Sequence, residues 1–259
     1  MKNVWIAILA LTFFACGEDK GAEDKENLGV LGQNLANLPA QLAQIDSAKM
    51  STWSEGSSLN YSKLDGLVSI GVKMYFDGKN VEKYVENFTE QGKGGMRAYY
   101  LKDAKIFAIY ELYEENSNPE KAYMVERYSL VANDKVTECT ERVADFETDL
   151  INKSFQKSEV KSIDIARMIR AINQKGEFAT TFQGFLDQGG VVYMLVGEPK
   201  PGKDAFTSAL QVDMRDQLIH DLMSDPDIYI NRKVRVEYES MTDPNSGFTA
   251  QLYLHGDFI

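Results

Sequence analysis

Between residues 67 and 146 the apolar side chains recur at every second position, and that period restricts the segment to half-buried strands. Ile70, Val72, Met74 and Phe76 alternate with Ser69, Gly71, Lys73 and Tyr75. Successive side chains of a strand point to opposite faces, so one face is committed to a core. Asp77-Gly78 follows with the residues a tight hairpin needs for positive φ. The unit then recurs. Met74-Tyr75-Phe76-Asp77-Gly78-Lys79-Asn80-Val81 is echoed by Tyr99-Tyr100-Leu101-Lys102-Asp103-Ala104-Lys105-Ile106, and more faintly by Tyr128-Ser129-Leu130-Val131-Ala132-Asn133-Asp134-Lys135-Val136. Each echo is an aromatic strand, a polar turn and a second strand. Residues 57–150 are therefore expected to form three consecutive hairpins, an antiparallel β-meander domain, with connecting loops at 91–95 and 116–120. The tyrosines fit a ligand face, but aromatic residues also simply favour strands.

The period changes after residue 150. Residues 162–174 read as a helix: Ser162 caps it, Asp164 suits its first turn, Ile165, Met168, Ile169 and Ile172 share a face, and Gly176 ends it. Residues 149–161 are the expected junction. Three strands follow, at 178–185, 191–196 and 206–212, then a helix near 214–223, then strands at 233–238 and 248–254. Gly189-Gly190 and the 243–247 stretch supply turns. Three strands, a helix and two strands is the element order of an OB-fold barrel. Residues 174–258 resemble the OB-fold group found in small bacterial envelope lipoproteins, on that order and not on a diagnostic motif. The fold class expected is β-rich α+β: an antiparallel β-meander domain, then a helix and an OB-like five-stranded barrel over 151–259.

An OB-like barrel implies a face for an oligonucleotide, a sugar or a peptide. The alternation in the fourth strand places Val234, Val236 and Tyr238 inward and Lys233, Arg235, Glu237 and Glu239 outward. In the fifth, Phe248, Ala250, Leu252 and Leu254 are expected inward and Thr249, Gln251, Tyr253 and His255 outward. Single-strand binders combine aromatic platforms with a basic groove. Arg232, Lys233, Arg235 and Tyr253 form the one local cluster of that kind, and Glu237 and Glu239 among them fit an ordinary solvated face equally well. The chain carries −11 net charge with a pI near 4.8, which repels phosphate, so nucleic acid is not expected as a partner.

Catalytic motifs do not emerge. His220 and His255 lack a second His or Cys at metal-ligand spacing, so neither a metal nor a cofactor is expected. Asp216 and His220 lie one helical turn apart, the spacing of a surface pair. Cys139 has no neighbouring base, and Glu138 and Glu141 disfavour a thiolate, so it reads as a structural thiol. Residues 225–227 lack the Gly and terminal Glu of a calcium loop. Residues 92–95 are glycine-rich without the ending of a phosphate-binding loop.

The N-terminus speaks to location. A lysine at Lys2, an apolar run over 4–15 and the small residue Ala15 read as a secretory signal too short to span a bilayer. Cys16 follows directly. This resembles the bacterial lipoprotein signal, in which the cysteine thiol is acylated and the chain is cut before it; Phe13 stands where that family usually has Leu. The resemblance implies a signal peptide over 1–15 and a membrane anchor through lipid on Cys16. If Cys16 is acylated, Cys139 is unpaired and the domains hold by core burial alone. Residues 16–27 have no bulky apolar residue beyond the anchor and read as an acidic flexible tether. Residues 28–56 read as a helical linker. Its stripe is Leu28, Leu31, Leu35, Leu38, Leu42 and Ile45, with Asn37 capping a second helix and Pro39 in its first turn.

Together these features point to a cell-envelope lipoprotein, outer-membrane anchored, on the periplasmic face or the cell surface. It is expected to be a non-catalytic binding or assembly module whose partner is an envelope protein, a peptide or a glycan. The alternatives are a carrier holding an apolar ligand in the meander domain, and an enzyme whose acidic residues meet in a cleft.

Overall fold

The hairpin turns set the register of most of the molecule. The computed structural model describes residues 34–49, 52–63, 65–90, 92–118, 120–199, 202–242 and 249–259. The signal-like run, Cys16, the acidic segment, Leu28, Leu31, the 243–247 turn and Phe248 lie outside the described residues.

Asn34, three residues before the expected Asn37, supplies the first cap: its side chain accepts from Ala36 N at 2.9 Å. A 3-10 turn, Leu35–Asn37, runs straight into helix α1 (Leu38–Lys49), with Pro39 in the first turn as expected. Leu38 and Leu42 are buried on Ala98, Tyr100, Ala108 and Leu130 of the sheet. Asp46 accepts from Lys83 Nζ at 2.8 Å and from Tyr100 Oη at 2.8 Å, which fixes the far end of the helix.

Two short strands come next, β1 (Ser54–Ser57) and β2 (Tyr61–Lys63), and then six long ones: β3 (Ser69–Asp77), β4 (Asn80–Glu90), β5 (Lys93–Lys102), β6 (Lys105–Glu115), β7 (Tyr123–Ala132) and β8 (Lys135–Ala144). Each of the six pairs antiparallel with its neighbour in the chain. The three hairpins turn in the middle of the echoes, as expected. Gly78 has φ +63°, and Asp103-Ala104 and Asn133-Asp134 are all left-handed. The loop expected at 91–95 is shorter than that, because Lys93, Gly94 and Gly95 belong to β5. A Cβ on Gly95 would lie 2.3 Å from Leu112 O, so only glycine permits this close approach of β5 to β6. Short β9 (Gln156–Ser158) adds to β8.

Helix α2 (Ile165–Ile172) is shorter than the 162–174 expected. Asp164 precedes it without a side-chain cap and instead accepts from Arg170 at 2.9 Å. Left-handed Gln174, two residues before Gly176, ends it, with Lys175 N donating to Arg170 O at 3.0 Å. Strands β10 (Thr181–Gln188), β11 (Val191–Gly197) and β12 (Phe206–Gln211) follow, then α3 (Gln217–Ser224), α4 (Pro226–Tyr229), β13 (Val234–Thr242) and β14 (Thr249–Phe258). The strand order is β10-β11-β12, with β14 beside β12 and β13 beside β14. β12 and β14 are parallel and meet at one pair, Gln211 with Leu252. β10 and β13 touch through a single bridge, Thr181 with Lys233. The molecule is thus β-rich, built on one large mixed sheet with few helices, and the expected barrel is not closed.

β2 joins the two runs of strands. Its three residues pair with β3 on one side and with Phe206 and Thr207 of β12 on the other. The main core crosses the junction accordingly. Leu59, Tyr61, Ile70, Val72, Tyr99 and Ile109 pack in one cluster with Met168, Phe178, Phe182, Met194, Leu210, Ile219 and Tyr253. Among the described residues no helix is long and apolar enough to cross a membrane.

Candidate functional site

The residues singled out from sequence do not converge. Arg232, Lys233 and Arg235 are exposed, as expected. The Arg232 guanidinium lies 4.6 Å from the Phe258 ring centre and 5.5 Å from that of Tyr229, and those two rings stack at 5.1 Å. Arg235 sits opposite Asp257 and Glu237 opposite His255, so the basic side chains share their surface with acids. Tyr253 is 1% exposed and belongs to the core, opposite to expectation. The middle of the strand departs likewise: Gln251 and Tyr253 are buried and Leu254 is exposed, while Thr249 and His255 are exposed as expected. A shift of register between Glu237 and Tyr238 skips Leu254, and the inward polar groups find partners. Cys16 lies outside the described residues.

Tyr253 donates to Asp216 at 2.7 Å. The same carboxylate accepts from Ile219 N at 3.0 Å as the cap of α3, from Gly256 N at 3.1 Å, and lies 2.8 Å from His255 Nδ1. Burial works against its charge, but the backbone and Tyr253 hydrogen bonds outweigh it, and the carboxyl is held below its ordinary value. The expected Asp216–His220 surface pair is absent from this arrangement: His220 N donates to the Asp216 carbonyl inside the helix, while the carboxylate faces β14. The hub fastens α3 to the sheet.

A second polar constellation escaped the sequence reading. Glu86, Arg97, Glu111, Arg127 and Glu141 occupy one row across β4 to β8, each opposite the next. Arg97 is 3.6 Å from Glu86 and 2.7 Å from Glu111; Arg127 is 3.8 Å from Glu111 and pairs closely with Glu141. Arg167 of α2 extends the alternation, 4.0 Å from Glu86 and 2.5 Å from Glu90. Glu86 and Glu111 are each 2% exposed. Burial disfavours the Arg97 charge, but Glu111 and Glu86 more than offset this and hold the guanidinium above its ordinary value. Each carboxylate faces an arginine, so the row serves register rather than chemistry. Every one of these strands carries further charged residues, so composition alone did not single out the row.

The groove of interest forms where strands part. β14 meets β12 only at Gln211, while β2 takes the edge of β12 at Phe206 and Thr207. Between these contacts opens a groove of about 230 Å³. Its wall includes Asn60, Ser62, Tyr193, Leu195, Thr207 and Ala209, and it carries no charged side chain. Gln251 lines it as well, and its side chain accepts from Asn60 N at 2.7 Å and donates to Ser58 O at 3.1 Å. Ser208 also lines it, and its hydroxyl is buried without a hydrogen-bond partner among the described residues. Such a wall offers hydroxyl and amide groups beside one aromatic face and repels neither charge. Among the described residues no group of three His, Cys, Asp or Glu is placed to hold a metal.

No family model, curated protein or solved structure matches the chain.

Proposed function

We propose that this is a lipid-anchored cell-envelope protein whose folded part is a non-catalytic binding or assembly module for a neutral partner, a glycan or an extended peptide. The uncharged groove beside β12 carries this reading. In a chain with 26% charged residues, a concave wall of only neutral side chains selects against ionic ligands. The order β10-β11-β12-β14-β13, with α3 and α4 between the third and fourth strands, supports an OB-like end. The six strands β3 to β8, each paired to its chain neighbour, support a meander half. The lipoprotein-like Ala15-Cys16 supports anchoring through acyl chains, each buried CH₂ contributing about 0.8 kcal/mol. Folded parts held in that way need no membrane affinity of their own.

Ala209 is exposed within the groove, so Ala209→Trp fills it without entering the core. Calorimetric titration with chitotriose and with an uncharged peptide should give binding to at least one probe by the wild type and none by Ala209→Trp. Binding that survives the substitution, or no binding of either probe, overturns the groove as the site. Cys16→Ser should move the protein from the detergent phase to the aqueous phase on phase separation; equal partitioning would reject the anchor.

A further inference from the structure

A second cleft, of about 280 Å³, lies at the other end of the molecule, around the ends of β7 and β8. Lys121 leads into β7, Tyr123 begins it, Val143 and Ala144 end β8, Asp145 follows it, and Lys153 follows the 3-10 helix Glu147–Asn152. Lys63, Lys73, Lys83 and Lys93 each have a carboxylate partner. Lys121 and Lys153 have none among the described residues, and both are exposed. With Asp145 the cleft carries a net single positive charge in a chain of −11. The backbone beneath Lys153 is fixed: its N–H donates to Leu150 O at 2.9 Å, and Leu150 is buried. Lys121 is held likewise by a turn in which its N–H donates to Asn118 O at 3.0 Å. Val143, 41% exposed, and Tyr123 add apolar surface to the same wall.

We propose that this cleft binds a small organic oxyanion, a carboxylate or phosphate carried on a compact apolar body. Two unpaired lysines supply the charge, and Val143 and Tyr123 take the apolar part. The volume suits a small molecule or one headgroup and not a polymer. The site is independent of the neutral groove.

The test is calorimetric titration of the full chain in non-ionic detergent with phenyl phosphate, benzoate and uncharged benzyl alcohol. At least one of the two anions should bind and benzyl alcohol should not. Lys121→Ala combined with Lys153→Ala should weaken the anion about tenfold, and raising salt should do the same. Both lysines are exposed, so the unfolding midpoint should not move. Adding lysophosphatidylglycerol separates the sources: displacement of the aromatic anion identifies a lipid headgroup, and persistence of binding identifies a free anion. No anion binding, or binding unchanged in the double variant, overturns the proposal.

Discussion

Gln251 does with a side-chain amide what a strand does with its backbone. It gives an acceptor to Asn60 N and a donor to Ser58 O, and it is 4% exposed. Removing it leaves the carbonyl of buried Ser58 and the Asn60 N–H without this partner. Gln251→Ala should therefore cost about 2–4 kcal/mol, measured by denaturant unfolding, whereas a change under half a kcal/mol would mean that water replaces the amide. Asp216 gives a pH-dependent counterpart. Its folded value lies below the ordinary 3.8, so its contribution is present above that value and is lost as pH falls through it. Asp216→Asn should be less stable than the wild type at neutral pH, and the difference should shrink in acid; a gap that widens in acid would contradict the assigned direction. Neither residue was legible in sequence. Gln251 and Tyr253 alternate with Leu252 and Leu254, and hydrophobicity alone assigns the leucines to the core. Only the register shift at Leu254 and the partners waiting inside reverse the choice.

Among the elements, the long strands were legible because their turns are chemically specific. Positive φ at Gly78, Asp103-Ala104 and Asn133-Asp134 fixes three hairpins, and the alternation then fixes their faces. The row of charges was hidden because pairing is non-local: nothing within β5 tells Arg97 that Glu111 lies opposite until both turns are counted. Arg97→Met leaves Glu86 and Glu111 buried without their shared cation and should cost about 3–5 kcal/mol. Adding Glu111→Leu should recover part of that loss in a double-mutant cycle. Simple additivity of the two losses would show that the row is not coupled. The join through β2 was equally invisible, since three residues are too few to carry a period.

For the whole molecule, the core built across residues 149–161 predicts cooperative behaviour. Lys161 is exposed in the stretch before α2, where trypsin has access. Cleavage there should leave two fragments that co-elute on size exclusion, because Met168, Phe178 and Tyr253 pack with Tyr61, Ile70 and Tyr99. Fragments that separate would contradict a shared core. The neutral groove and the acidic surface likewise belong to this scale, since recognition depends on which outweighs the other. The most direct test titrates the full chain at low and at high salt with chitotriose, an uncharged peptide and single-stranded DNA. It uses the wild type, Ala209→Trp, and the triple change of Arg232, Lys233 and Arg235 to Ala. The account predicts neutral-probe binding that is indifferent to salt and to the triple change and is lost in Ala209→Trp, with no DNA binding. DNA affinity that falls steeply with salt and weakens further in the triple variant would contradict it, and would place recognition on the basic cluster instead.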